Sequence, residues 1–109
     1  HWSAVAWASA ERAGEHWAQI ALPQPLPVST VVIYWATDGG LQTSRAYRVQ
    51  VEVAGQWRDV ATVSDQAPRE LSVHGFEPVT TRRVRTLQPD GGGPAARPQI
   101  MWMREIEVH

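Results

Sequence analysis

The chain has 109 residues, 43% hydrophobic and 19% charged, which is enough for one domain with one core and too little for a second folded unit. Ten basic and eleven acidic side chains give a net charge of −1, so no global field attracts nucleic acid or an acidic membrane surface. The absence of cysteine excludes disulfides, zinc–thiolate clusters and a thiol nucleophile. No apolar run approaches the roughly 20 residues of a membrane-spanning helix, so we expect no membrane contact.

The first third of the chain predicts two strands, Trp17–Leu22 and Val28–Trp35, separated by a proline-rich turn. Between Ala8 and His16, Gly14 interrupts the one stretch that could form a helical turn, so we expect an irregular segment. Of the six tryptophans, we expect Trp17, Trp35 and Trp57 in the core.

The middle of the chain contains the clearest strand. Tyr47, Val49, Val51 and Val53 alternate with polar residues, the period of two that is typical of a half-buried strand. The turn Ala54-Gly55 then leads into a partner strand that begins at Trp57, which predicts a hairpin.

The remaining predicted strands complete an antiparallel sandwich without helices. They are Glu70–Val73, Val79–Leu87 and Ile100–Val108. Glycine and proline cluster between them, most of all in the long loop from Gln88 to Pro98, whose length makes it a candidate functional loop. We interpret the triplet Gly91-Gly92-Gly93 as flexible, because it lacks the lysine and the strand-to-helix context of a phosphate-binding loop.

Seven pieces of the chain, taken in order, resemble the F5/8 type C (discoidin) family. They are Trp17–Leu22, Val28–Trp35, Tyr47–Val51, Gly55–Val60, Phe76–Val79, Arg82–Arg85 and Glu105–Val108. In that family a W-x-x-I-x-L stretch opens a strand, an S-x-D-G-x-x-W stretch forms a hairpin, and an A-E-I-x-V stretch closes the domain. Here Ala54-Gly55 replaces Asp-Gly and Arg104 replaces alanine, changes that the fold should tolerate.

The resemblance implies one domain over residues 1–109, an all-β antiparallel jelly-roll β-sandwich of the galactose-binding type. The family's first strand and the following Asp-Gly loop would precede His1, so we expect a module truncated at its N-terminus. Bacterial members of the family often accompany secreted glycoside hydrolases or lyases. The resemblance therefore implies a non-catalytic carbohydrate-binding module of a larger secreted or cell-surface protein, with a glycan and adjacent domains as its partners.

No catalytic motif competes with this interpretation. The four histidines lack metal-ligand spacing, and neither a G-x-S-x-G elbow nor a paired set of carboxylates is visible. The basic run Arg82, Arg83 and Arg85 is compatible with an anionic polysaccharide, but a solvated strand face is the simpler interpretation.

A sugar site at the loop end of such a sandwich needs an aromatic face and planar polar groups. The candidates are Trp7, Asp38, Gln42, Arg45, Asp90, Arg97 and Trp102. Asp38 and Arg45 are the strongest polar candidates, although an ordinary ion pair between loop residues is an equal alternative. The alternation of Trp102, Arg104, Ile106 and Val108 could also turn Trp102 into the core.

Glu105 is the one candidate metal ligand. The resemblance implies that this glutamate helps to bind a structural calcium whose other ligands lie in the N-terminal loop, and an ordinary solvated carboxylate is the equal alternative. The competing function for the whole chain is a sandwich that packs on a neighbouring catalytic domain through an apolar face and binds no sugar.

Overall fold

The computed structural model describes residues 2–8 and 11–109, with side chains at Trp2 and from residue 11 onward. These residues form strands, turns and loops without any helix, so they contain no helix long and apolar enough to cross a membrane. Their strands are β1 (Trp2–Ala8), β2 (His16–Trp35), β3 (Tyr47–Val53), β4 (Gln56–Val63), β5 (Leu71–Gln88) and β6 (Trp102–Val108).

The strands follow the order β1-β6-β2-β5-β3-β4, and every neighbouring pair is antiparallel. The two long strands, β2 and β5, pair with each other twice. Trp17 lies opposite Leu87 in one half, and Tyr34 lies opposite Leu71 in the other. Between the halves the register shifts, so each long strand can leave one layer and enter the other.

The proline-rich segment of β2 explains where the strand bends. Pro23, Pro25 and Pro27 cannot donate backbone hydrogen bonds, and the ladder with β5 is interrupted between Ala21 and Leu26. The second half of β2 and the first half of β5 join β6 and β1 in one layer, which we call the terminal layer. The other halves join β3 and β4 in the hairpin layer. The predicted all-β antiparallel jelly-roll β-sandwich is confirmed.

The core lies between the two layers. Alternate residues of β2 and β3 point inward, and Val31, Ile33, Val49 and Val51 are fully buried. Trp35, the last residue of β2, is also fully buried, and its ring lies 5.3 Å from the ring of Tyr47.

The strand prediction was wrong in two respects. The segments predicted at Trp17–Leu22 and Val28–Trp35 are one continuous strand, and the same is true of the two segments that make up β5. Strand β1 was not predicted, and it pairs with the outer edge of β6. The irregular segment expected before His16 is present over residues 11–15.

Two of the three tryptophans expected in the core lie outside it, whereas Trp35 is buried as predicted. Trp17 is 53% exposed, because the inward positions of this part of β2 belong to Ala18 and Ile20. Trp57 stands opposite Glu52 on the outer face of the hairpin layer, with the guanidinium carbon of Arg85 4.1 Å from its ring centre. Its partial burial therefore comes from a cation–π contact and not from core packing.

Candidate functional site

Four loops meet at one end of the sandwich, which we call the loop end. Their described residues are 11–15, 36–46, 64–70 and 89–101. The strand ends next to these loops lie side by side, since the start of β3 at Tyr47 pairs with the end of β4 at Val63, and the end of β1 at Ala8 pairs with the start of β6 at Trp102. The fold therefore brings together segments that are distant in sequence.

Arg45 fastens loop 36–46 to loop 89–101. Its side-chain Nε donates to the carbonyl oxygen of Gly93 and its Nη2 donates to that of Gly91, each at 2.7 Å. Its backbone N–H donates to the carbonyl of Gly92 at 2.8 Å. The guanidinium is therefore fixed in orientation by main-chain carbonyls.

Two of the three glycines in the triplet are packed tightly, so the interpretation of the whole triplet as a flexible loop was wrong. Gly92 and Gly93 are buried, and a Cβ atom at Gly92 would lie 2.7 Å from the carbonyl oxygen of Ala46. Only a residue without a side chain allows the two loops to approach this closely.

A buried polar network lies beneath these loops. The Ser44 hydroxyl donates to Gln88 Oε1, and Gln88 Nε2 donates to the carbonyl of Ile100 at 2.9 Å. Gln66 Nε2 donates to the carbonyl of Ser44 at 3.0 Å, which adds loop 64–70 to the network. Because buried polar groups with partners resist rearrangement, the loop end is preorganised.

Three of the loops enclose a pocket of about 260 Å³, which we call the loop-end pocket. It is lined by Gly39, Leu41, Gln42, Thr43, Arg45, Gln66, Pro68, Pro94, Ala95 and Ala96. This volume lies just below the range of about 300–1,000 Å³ typical of small-molecule sites. Apolar walls with a few fixed polar groups are the usual composition of such a site.

Of the predicted site residues, Gln42 and Arg45 line this pocket. Gln42 Nε2 donates to the backbone carbonyl of Asp38 at 3.0 Å, so this hydrogen bond stabilises the conformation of loop 36–46. The carboxylate of Asp38 does not line the pocket. Asp90 lies outside it as well, and its Oδ1 accepts a hydrogen bond from the backbone N–H of Gly14 at 2.9 Å.

Arg97 and Trp102 form a second group at the loop end. Arg97 makes a bidentate ion pair with Glu11 through contacts of 2.9 and 3.0 Å, and its guanidinium lies 5.4 Å from the ring centre of Trp102. The hydrogen bond from Arg97 lowers the pKa of Glu11, and the same bond raises the pKa of Arg97. The pair fastens the loop before β2 to the loop before β6.

Trp102 points outward because the alternation along β6 is interrupted. Met101 and Met103 are buried, so the residue between them faces out, and Trp102 is partly exposed. A register shift against β2 then inserts Arg104 as an extra residue, after which Ile106 returns to the core. The alternative that Trp102 faces the core was wrong. Trp7 pairs with Met103 in β1, and its side chain lies outside the described part of the structure.

Glu105 stands on the outer face of the terminal layer beside Glu107. The hydrogen bond between the two carboxyl groups raises the pKa of Glu105 and lowers that of Glu107. Among the residues described, no three His, Cys, Asp or Glu side chains come together as a metal site. Calcium requires six to eight oxygen ligands, so these carboxyl groups do not fit a calcium ion by themselves. A calcium role for Glu105 stays a prediction.

The sequence matches a known family over most of its length. Residues 4–86 fit the model of the NedA-like, galactose-binding domain of the F5/8 type C group. The chain belongs to this family. The resemblance inferred from its ordered motifs is therefore confirmed. No curated protein matches the sequence.

Solved carbohydrate-binding modules share the fold of this F5/8 type C domain. Chitosan-binding module 1 from a chitosanase/glucanase of Paenibacillus sp. IK-5 is 21% identical with a TM-score of 0.73, over 95% of this chain and 75% of that one. The family 32 carbohydrate-binding module of Streptococcus pneumoniae EndoD is 19% identical with a TM-score of 0.72, over 95% and 74%. The Clostridium perfringens module CpGH89CBM32-5, solved with GalNAc-beta-1,3-galactose, is 14% identical with a TM-score of 0.73, over 94% and 73%.

These similarities show the galactose-binding jelly-roll fold. The family is described as a galactose-binding domain, in agreement with the expectation that the domain itself is not catalytic.

Proposed function

We propose that this F5/8 type C domain is a carbohydrate-binding module that binds a glycan in the loop-end pocket. The observation that carries the proposal is a concave site between three loops that are fastened to one another by Arg45 and the Gln88 network. A preorganised site loses little conformational entropy when a ligand binds. The similarity to modules that bind chitosan or GalNAc-beta-1,3-galactose supports a sugar as the ligand.

The proposal also covers the kind of protein to which the domain belongs. The three similar modules come from bacteria, and one is derived from a chitosanase/glucanase. We therefore propose that the domain is part of a larger secreted bacterial carbohydrate-active protein.

A glycan panel tests the function directly. Neutral and acidic oligosaccharides are titrated into the protein by calorimetry, first with the wild type and then with Ala96→Trp, which places a bulky side chain in the wall of the pocket. We expect a member of the panel to bind the wild type, and Ala96→Trp to weaken that binding at least about tenfold by filling the cavity.

The matched control is Ala13→Trp, at an alanine of the loop end that is also exposed but does not line the pocket. This variant should bind like the wild type. Unchanged glycan binding by Ala96→Trp would exclude the pocket as the binding site. Failure of every glycan in the panel to bind the wild type would exclude the proposed function.

One observation favours the alternative of a packing module. Leu71 and Val73 are 42% and 59% exposed on the outer face of the terminal layer, in register with Tyr34 and Val32 of β2. Apolar side chains that are adjacent on a sheet face can pack against a neighbouring domain. This alternative would be supported if no glycan of the panel binds and if Val73→Glu lowers the stability of the parent protein.

A further inference from the structure

Arg45 is the one charged residue among those that line the loop-end pocket. Its Nε and Nη2 donate to carbonyl oxygens, which accept hydrogen bonds but carry no net charge. Within the described part of the chain, no carboxylate lies within ion-pair distance of its guanidinium, and its Nη1 makes no hydrogen bond. Among the described residues, the positive charge of Arg45 is therefore not compensated by an ion pair.

Four other arginines of the domain are neutralised or stacked, and Arg82, which donates to the carbonyl of Leu22, is exposed and lies outside the pocket. Arg48 pairs with Asp59, Arg83 pairs with Glu52, and Arg97 pairs with Glu11. Arg85 lies over Trp57 and donates to Gln50. Arg45 differs from these four because two bonds to carbonyl oxygens fix the direction of its guanidinium at the pocket without cancelling its charge.

The surroundings of Arg45 strengthen its attraction for an anion. The side chain is half-buried, and the pocket walls are largely apolar, with Leu41, Pro68 and Pro94 among them. A low local dielectric increases the energy of a charge–charge contact, and a guanidinium with fixed geometry matches a carboxylate better than it matches a hydroxyl.

We infer that the glycan bound in the loop-end pocket carries a carboxylate, as a uronic acid does, and that Arg45 binds this group. The inference rests on the proposed function and narrows it to acidic sugars. Asp38, which acts electrostatically on Arg97, does not line the pocket and leaves the charge of Arg45 available.

The test compares ligands that differ only in charge. An oligogalacturonide, the same oligosaccharide with its carboxyl groups methyl-esterified, and a neutral galacto-oligosaccharide are titrated into the wild-type protein. We expect the free acid to bind about tenfold more tightly or better than the ester, with a preference that weakens as salt increases.

The outcomes separate the inference from the proposed function. Equal binding of acid and ester, or binding of the neutral glycan alone, would overturn the carboxylate inference and leave the glycan function intact. If none of the three ligands binds but a neutral glycan of the panel does, the inference also fails alone, and an acidic glycan of the panel that binds is compared with its methyl ester in the same way. If no glycan binds at all, both fail.

Substitutions then assign the preference to Arg45. Arg45→Gln removes the charge and should abolish the preference for the acid over the ester. Arg48→Gln removes an arginine of the hairpin layer outside the pocket and should leave the preference unchanged. An Arg45→Gln protein that keeps the full preference would overturn the assignment. If Arg45→Gln does not fold, the acid–ester comparison with the wild type still decides the inference.

Discussion

Trp35 and Trp57 lie in opposite environments, although both stand on strands with mixed apolar and polar residues. Trp35 is fully buried, and its Nε1 donates to the Ser72 hydroxyl at 2.9 Å. Trp57 faces outward beneath Arg85. The sequence of one strand shows which residues share a face but not which face meets the core, and the register with Glu52 decides that for Trp57.

We expect Trp35→Ala to lower the free energy of unfolding by about 3–5 kcal/mol, because it leaves a large cavity in the core. Trp57→Ala should cost about 1–2 kcal/mol, since it removes a partly exposed ring and one cation–π contact. Urea denaturation of the two variants and the wild type measures both values. Equal losses would contradict the assignment of Trp57 to the outer face.

The half-buried His74 predicts a dependence of stability on pH. Its Nε2 lies 2.7 Å from the hydroxyl of Tyr47, and burial, with a smaller effect of the Arg69 charge, lowers the pKa of His74 below 6.5. Between that lowered pKa and 6.5 the unfolded chain binds a proton that the folded chain does not. The contribution of His74 to stability is therefore complete above pH 6.5 and is lost as the pH falls through the folded pKa.

Denaturation of the wild type and His74→Gln at several pH values between about 7.5 and 5 isolates this contribution. The stability of the wild type relative to His74→Gln should decrease as the pH falls. A constant difference across the range would show that the histidine titrates alike in both states.

At the scale of elements, the alternation of apolar and polar residues located most of the strand segments but did not show which segments are continuous. The prolines after Leu22 suggested a break, yet the chain continues as one strand that bends between the layers. Strand β1 went unpredicted because its sequence WSAVAWA lacks a period of two. Its pairing with β6 is a long-range contact that local pattern cannot reveal.

The β3–β4 hairpin contains a residue whose backbone is under strain. Ala54 has φ of 53° and Gly55 has φ of 78°, a pair of positive angles for which Asn-Gly is the preferred sequence. Ala54→Asn should stabilise the fold by about 0.5–1 kcal/mol, because asparagine tolerates the left-handed region better than alanine does. Thermal and urea unfolding measure the gain. Ala54→Val is the control and should destabilise the protein, and a stabilising valine would exclude strain at this turn.

At the scale of the whole molecule, the order of the motifs was enough to predict the family and the sandwich. The site was only partly predictable, because its construction depends on contacts between distant loops. Gln42 and Arg45 were identified by residue type, but the role of Gln88 in joining Ser44 to Ile100 has no local signal. Pro68 and Ala95 lie on different loops, so their place in the apolar wall of the pocket could not be predicted from the sequence around either residue.

Gln88 offers the sharpest test of the idea that preorganised loops form the site. It is fully buried, and its amide joins Ser44 in loop 36–46 to Ile100 in loop 89–101, two of the loops that enclose the pocket. Gln88→Met keeps a similar shape but leaves the Ser44 hydroxyl and the Ile100 carbonyl without these partners. We expect it to cost about 1–3 kcal/mol in the free energy of unfolding.

The same variant should weaken glycan binding by about threefold to tenfold, because the loops must then be ordered at the expense of binding energy. Urea denaturation and calorimetry with the tightest ligand of the panel measure the two effects. Gln19→Met, at an exposed position on β2, is the matched control and should change neither. A Gln88→Met protein with weakened stability but unchanged affinity would show that the main-chain contacts around Arg45 and Gly92 suffice to form the pocket.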